Sequence, residues 1–350
     1  MARRSTQRCT LITGGAGFVG TNVADRLLRS GRRVRILDNL SRPGVDANLR
    51  WLQQRYGPRL EVEVADVTEP DAARRALRHV DTVFHFAAQV AVTTSMVEPV
   101  SDAEVNVRGT LNLLEEARRQ PRPPAVVFTS TNKVYGALED LELIEREERY
   151  APADPAARAG IAEDRPLSFC TPYGCSKGAA DQYVLDWSRS YGVPTVVFRM
   201  SCIYGPHQQG NEDQGWVAHF ALSALEGEPI TLFGDGKQVR DILYVDDLVR
   251  AFLLAEERCT EFAGRAFNIG GGAANAVSLL DVIKLLSAVR GEAPALRHEP
   301  WRPGDQRYYV SDHSAFSRAT GWEPSVDPAH GIELLHSWLV DDRATAPAAA

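Results

Sequence analysis

The chain has 350 residues, 44% of them hydrophobic and 24% charged, with a net charge of −7 at neutral pH. This is the composition of a globular chain with ample core, and its acidic balance argues against a nucleic-acid surface. No apolar run approaches the ~18 residues that a membrane-spanning helix needs.

The first eight residues, MARRSTQR, are basic like the start of a signal segment. A strand and a glycine loop follow directly, so a disordered start is the expectation. The strand Cys9–Thr13 runs into GGAGFVG, with Gly14, Gly17 and Gly20 spaced as in a dinucleotide-binding turn. The first glycine permits the turn, the second lets backbone N–H groups approach a pyrophosphate, and the third lets the helix pack on the strand. An amphipathic helix over Phe18–Ser30 completes that context. A second strand, Arg33–Leu37, ends at Asp38, about 20 residues past the glycines, where a carboxylate accepts ribose hydroxyls. Asp38 would repel a 2′-phosphate and so favours NAD, while Arg42 keeps NADP in play. After the strand Leu60–Val64, Asp66-Val67 is placed either beside the adenine or, for Asp66, at the cap of the next helix.

Further strands are expected over Thr82–Phe86, Ala125–Ser130 and Thr195–Met200, with a last short one at Phe267–Ile269 and a helix over Val100–Arg119. Strands alternating with helices predict an α/β fold, a doubly wound parallel (Rossmann) sheet with helices on both faces. The stretch Glu139–Pro166 is long, acidic and rich in Pro and Ala, as functional lids or disordered loops are. The C-terminal part reads as a smaller lobe that interleaves with the sheet. We therefore expect residues 1–202 plus 241–272 as the NAD-binding domain, 203–240 plus 273–342 as the substrate lobe, and 343–350 as a tail. Five cysteines, an odd number without a CxxC pair, predict reduced cytoplasmic thiols and no metal site.

In TPYGCSKGAADQY, Tyr173 and Lys177 lie four apart and share one helical face. A lysine ammonium beside a phenol lowers its pKa, so a phenolate can take a proton from a substrate hydroxyl as hydride leaves for NAD. At the end of the Ala125 strand stands TSTNKVYG, which places Thr131, Asn132 and Lys133 at the strand tip.

These motifs, together with FHFAA (Phe84–Ala88), Asn106 in EVNVRGT, FGDGKQVRDILYVDD and RPGDQR, resemble the extended short-chain dehydrogenase/reductase family of nucleotide-sugar epimerases and dehydratases, over roughly residues 8–340. The resemblance implies Tyr173 as the base, Lys177 on the nicotinamide ribose, and Thr131 hydrogen-bonded to the reacting hydroxyl. NAD would be held by Gly14, Gly17, Phe18, Val19, Asp38 and Asn39. Asp66, Val67, Phe86, Ala87, Ala88, Thr129 and Met200 would complete that set alongside Tyr173 and Lys177. Substrate contacts are expected from Gln89, Thr131, Asn132, Lys133, Gln214, Trp216, Arg240 and Arg307.

The 4,6-dehydratases of this family carry Thr-Asp-Glu at the strand tip, because eliminating water needs an acid and a base. Here an amide and a cation stand in those places, so oxidation and re-reduction remain: an isomerase that epimerises. Lys133 either touches substrate or is solvated or paired with the acidic lid. STNKVYG, DQGWV and AFNIGG resemble one branch, the CDP-paratose 2-epimerases. That implies a CDP-hexose oxidised transiently at C2, with a 2-keto intermediate and enzyme-bound NADH. Epimerisation of a UDP-, GDP- or dTDP-hexose, at C4 or another carbon, is the alternative, and an NAD-binding protein without turnover a third. Many relatives place a phosphate-contacting asparagine where this chain has Cys202, which shifts that task to Arg240 and Arg307, with guanidinium forks that fit diphosphate oxygens. Trp216 is read either as an enclosure for the base or as lobe core. The resemblance also favours a homodimer. Val105, Leu111, Leu114, Ala117, Ala180, Tyr183, Val184 and Trp187 are candidates for its face, although internal packing explains much of the same pattern.

Overall fold

The computed structural model describes residues 9–302 and 304–345. The basic start and residues 346–350 of the expected tail lie outside the described residues. The chain opens β1 (Cys9–Thr13), α1 (Phe18–Arg29), β2 (Arg33–Asp38), α2 (Val45–Tyr56), β3 (Leu60–Val64), α3 (Pro70–Ala76) and β4 (Thr82–His85). Next come α4 (Val92–Val97), α5 (Pro99–Ala103), a π-helical turn (Glu104–Arg108), α6 (Gly109–Arg118) and β5 (Ala125–Thr131). A 3-10 turn over Asn132–Tyr135 leads to β6 (Leu143–Glu145), β7 (Tyr150–Pro152), α7 (Thr171–Tyr191), β8 (Thr195–Met200) and β9 (Cys202–Tyr204). The remainder is α8 (Trp216–Glu226), β10 (Ile230–Phe233), β11 (Val239–Tyr244), α9 (Val245–Glu257), β12 (Arg265–Ile269), β13 (Ala276–Ser278), α10 (Leu279–Arg290), β14 (Leu296–Glu299), β15 (Tyr308–Tyr309), α11 (Ser314–Thr320) and α12 (Pro328–Thr345).

Seven strands form one parallel sheet in the order β3-β2-β1-β4-β5-β8-β12. The chain leaves β1 toward β2 and β3, then returns to β4 on the other side of β1. That reversal opens a crevice at the carboxyl ends of β1 and β4, where such sheets bind ligands. The doubly wound sheet expected from the alternating pattern is therefore present.

The chain divides into two compact units, residues 1–131, 171–198 and 249–266, and residues 132–170, 199–248 and 267–350. The first has a core of β-branched and aromatic residues from its strands, packed on Leu113, Leu114 and Ala117 of α6 and Ala180, Val184 and Trp187 of α7. Five of the eight side chains expected on a dimer face thus pack internally: Leu114, Ala117, Ala180, Val184 and Trp187 are buried within one chain, whereas Tyr183 is 40% exposed. The second unit has its own core around Phe220, Leu232, Ile242, Val282 and Leu335, contributed by α8, β10, β11, α10 and α12. β11 is its central strand, parallel to β9 and β15 and antiparallel to β13.

The expected helix over Val100–Arg119 is present, running without a break from α5 through a π turn at Asn106 into α6. The acidic stretch Glu139–Pro166 is a built structure. β6 pairs antiparallel with β7, the Tyr150 hydroxyl donates to Asp235 at 2.5 Å, and Glu145 pairs with Lys237 at 2.7 Å. Arg149 pairs with Asp281, and Lys284 with Glu148. α12 continues to Thr345, past the point where the tail was expected to begin. No described helix is long and apolar enough to cross a membrane.

Candidate active site

In the first unit the glycine loop joins β1 to α1. Gly14 has φ +67° and its missing Cβ would lie 2.7 Å from the Ala87 nitrogen, so a side chain there is excluded by both strain and contact. The N-terminus of α1 carries no side-chain cap and no acidic residue in its first turn, which leaves its N–H groups to an anion. Asp38, at the end of β2, accepts the Ala16 N–H at 3.0 Å and the Leu40 N–H at 2.9 Å. The loop and this carboxylate thus form one rigid cradle. This donor set fits NAD, whose pyrophosphate the α1 N–H groups would hold and whose ribose hydroxyls Asp38 would accept.

Phe18 and Val19 begin α1. Asn39 donates to Asp66 at 2.7 Å, and Asp66 also accepts the Thr68 N–H at 2.8 Å and the Thr68 hydroxyl at 2.7 Å. Asp66 therefore holds the turn that precedes α3, whose N-cap is Glu69. Val67 packs where a Cβ on Gly109 would stand, 2.7 Å away. Phe86 stacks on Phe252 at 5.2 Å, the Ala87 N–H donates to Thr13 at 3.2 Å, and Ala88 follows at the same strand end. The Thr129 hydroxyl donates weakly to the His85 carbonyl at 3.4 Å. Met200 is half-buried at the end of β8.

α7 and the tip of β5 bring the three expected catalytic groups together. Thr131 is buried and hydrogen-bonded to Tyr173. The Tyr173 backbone N–H donates to Ser95 Oγ at 3.1 Å, tying the start of α7 to α4. Lys177 is buried, with its Nζ 4.2 Å from the centroid of the Phe128 ring. Burial pushes the Tyr173 phenol up to about 12, countered by the Thr131 hydrogen bond, raised further by Asp102 and lowered by Arg42. Burial likewise pulls the Lys177 ammonium down to about 7, against the attraction of Asp181 and Asp102. Lys177 is not among the influences on the Tyr173 phenol, so the expectation that its ammonium sets a low phenol pKa is corrected: burial dominates both groups. A cationic nicotinamide ring would favour the phenolate.

Sequence reasoning did not single out Asp102, Ser176, Ser95 or His85, which surround this pair. Asn106 uses its amide fully: it donates to Ser176 at 2.9 Å, Gln89 O at 3.0 Å and Asp102 at 3.2 Å, and accepts the Gln89 N–H at 2.9 Å. Gln89 folds its side chain back on Ala91, accepting that N–H at 2.5 Å and donating to its carbonyl at 2.9 Å. An acidic residue four before Asn106 on a helical stretch was the available signal for Asp102. Arg42 interacts electrostatically with both Asp38 and Tyr173.

The second unit gathers the other expected residues. Asn132 is buried and donates to Gln306 at 3.3 Å, and Gln306 donates to the Gly136 carbonyl at 2.6 Å. Lys133 Nζ donates to the Gly304 carbonyl at 3.1 Å. Burial and the neighbouring Arg240 cation lower the Lys133 pKa, while Asp305 and Cys202 raise it. Lys133 is therefore no solvated side chain. Arg240, also buried, donates to the Val239 carbonyl at 2.8 Å. Burial holds the Cys202 thiol up, against Arg240 and Lys133, and Trp216 Nε1 donates to its sulfur at 3.4 Å. Trp216 also packs edge-on against Phe220, 5.4 Å between centroids, at the border of that unit's core. Gln214 forms a tight turn with Asn211. Arg307 is exposed and lies 5.5 Å from the centroids of both the Tyr150 and Trp301 rings. Lys133, Arg240 and Cys202 are thus one cluster; Arg307 sits among aromatic rings.

Known proteins agree with this reading of the fold. A CDP-paratose 2-epimerase of Salmonella typhi is 42% identical over 335 residues, 94% of this chain and 98% of the relative. A UDP-glucose 4-epimerase of Thermotoga maritima, solved with UDP-glucose, superimposes with a TM-score of 0.82 at 32% identity, covering 96% of this chain and 99% of that one. The UDP-glucuronic acid 4-epimerase of Bacillus cereus, solved with UDP-glucuronic acid and NAD, gives a TM-score of 0.81 at 26% identity, over 95% and 99%. Residues 10–270 match the NAD dependent epimerase/dehydratase family, and the chain belongs to that family.

Proposed function

We propose that this protein epimerises a CDP-hexose at C2, with CDP-paratose and CDP-glucose as the first substrates to test. The observation that carries this reading is the strand tip, where Thr131 is bonded to Tyr173 while Asn132 and Lys133 occupy the two places that elimination would fill with carboxylates. Oxidation needs a proton acceptor and a hydroxyl anchor, and both are present; dehydration needs an additional acid–base pair. The choice of C2 and of cytidine rests on similarity to the Salmonella typhi relative.

In this reading NAD, when bound, supplies reversible hydride transfer at the carbinol carbon. Thr131 holds the substrate hydroxyl toward the Tyr173 oxygen. Tyr173 takes the hydroxyl proton as the carbon becomes a carbonyl, keeps it, and returns it to the same oxygen when the opposite face is reduced. The Lys177 ammonium anchors the nicotinamide ribose. No proton need leave the site, because the carbon-bound hydrogen travels with its electron pair. Lys133 and Arg240 supply the positive charge that a nucleotide diphosphate requires. The first unit is accordingly the cofactor domain and the second the nucleotide-sugar lobe. The homodimer belongs to the same proposal, supported by the exposed Val97, Val100, Tyr183 and Tyr191.

The test is a panel of CDP-, UDP-, GDP- and dTDP-hexoses with product stereochemistry read by NMR. Conversion of a CDP-hexose at C2 without net redox change is expected, with deuterium at C2 retained in the product. Turnover confined to another nucleotide or carbon, or full exchange of the label with water, would overturn the reading.

A further inference from the structure

Asp102 belongs to α5 and has no solvent exposure. Its Oδ1 accepts from Asn106 at 3.2 Å, from an amide that also serves Ser176 and Gln89. Its Oδ2 is buried with no hydrogen-bond partner. Ser176 and Asn106 hydrogen-bond this carboxylate, yet burial raises its pKa, and a charge buried there is costly unless a cation compensates it. Lys177, one residue beyond Ser176 on α7, feels its charge, and so does Tyr173. The other charged or titratable groups acting on this pair are Asp181 from α7 itself, Arg42 from the segment after β2 and His85 from β4.

We propose that Asp102 is a positioning residue: its buried carboxylate joins Asp181 as a counter-charge to the Lys177 ammonium and is the charge that opposes ionisation of the Tyr173 phenol, and Asn106 and Ser176 hold it against the catalytic helix. The proposal rests on the catalytic reading of Tyr173 and Lys177 and deepens it. A negative charge here keeps Lys177 protonated and resists phenolate formation at Tyr173. Both effects have the same sign on the pH axis. Removing the charge lets Tyr173 ionise at lower pH and lets Lys177 lose its proton at lower pH.

Asp102→Asn is isosteric and keeps the acceptor for Asn106. Its expected signature is a displacement of the whole kcat–pH profile, ascending and descending limbs together, by about half a unit or more toward acid, with KM for the nucleotide sugar unchanged. A profile that stays in place, whatever the activity, would overturn the proposal, because a merely structural role lowers the curve without moving it. Wild-type protein supplies a second measurement that needs no variant: a carbon-13 titration of labelled aspartate carboxyls, with Asp102 assigned through its contact with Asn106. Asp102 is expected to be ionised at pH 7, and a neutral carboxyl there would equally overturn the proposal. The titration uses no substrate, so a failed nucleotide-sugar panel leaves it readable, and a neutral Asp102 leaves the panel's outcome intact.

Discussion

Tyr173 and Lys133 carry different kinds of chemistry, and substitution should separate them. Tyr173→Phe removes only the hydroxyl, so NAD binding should persist while kcat falls by ~10²–10⁴-fold, the usual weight of a proton-transfer group. Steady-state kinetics with a cofactor-binding assay checks this, and unchanged turnover would remove Tyr173 from the mechanism. Lys133 is half-buried near Arg240, and its ammonium donates to the Gly304 carbonyl. The Arg240 cation acts against the Lys133 ammonium, so Lys133→Met should relieve that repulsion and weaken diphosphate binding. We expect KM for the nucleotide sugar to rise about tenfold, one charge-assisted hydrogen bond's worth, with kcat little changed. A variant that loses kcat at constant KM would instead place Lys133 at the reacting carbon. Both residues could be picked out from the sequence because their spacing and strand-tip position are local. Asp102 left only a weak local signal, its place four residues before Asn106, since its significance comes from burial, which local pattern does not encode.

His85, at the end of β4, links three elements. The Thr110 hydroxyl donates to the Asn106 carbonyl at 2.6 Å, which leaves its oxygen to accept from His85 Nε2 at 3.0 Å. The other ring nitrogen, Nδ1, then accepts from Thr13 at 2.6 Å. This chain of donors requires a neutral ring, and burial together with Lys177 holds the His85 pKa down at about 3. The sign of the linkage follows. Between pH 6.5 and about 3 the unfolded chain binds a proton that the folded one refuses, so this group's contribution to stability is complete above 6.5 and is lost as pH falls through that window. His85→Gln, which keeps an acceptor and a donor, should flatten the fall of melting temperature over that range; a slope equal to that of wild type would show that His85 does not govern it. The strands around His85 were legible because β-branched runs end in glycine or polar residues. The π turn at Asn106 was not, because the amide that shapes it is recruited by Gln89 and Ser176, 17 and 70 residues away. The β6–β7 hairpin was hidden for the same reason: its anchors Asp235 and Asp281 lie 85 and 132 positions from their partners.

At the scale of the whole chain, neither unit is continuous. The first takes three segments, and the chain passes from one unit to the other at residues 131/132, 170/171, 198/199, 248/249 and 266/267. β8 and β12 each begin in the first unit and end in the second, so even single strands are shared. The apparent completeness of residues 1–131, with five strands, a glycine loop and an Asp38, is therefore misleading. That segment lacks Ala180, Val184, Leu185 and Trp187 of α7, together with Val193 and Val197, all of which are buried in its core. Losing several large buried side chains at ~2–5 kcal/mol each exceeds the net stability of a typical domain, ~5–15 kcal/mol. We expect a 1–131 fragment to keep much of its helix signal, lose near-ultraviolet dichroism, bind a hydrophobic dye and fail to bind NAD. Extending it to residue 202 restores α7 and β8 and should recover much of the packing, while β12 and α9, which follow later in the chain, remain absent. Calorimetry with cofactor titration on both fragments decides the matter. A 1–131 fragment that melts cooperatively and binds NAD would show that the cofactor half folds without the catalytic helix, and that Tyr173 and Lys177 were joined to a domain already complete.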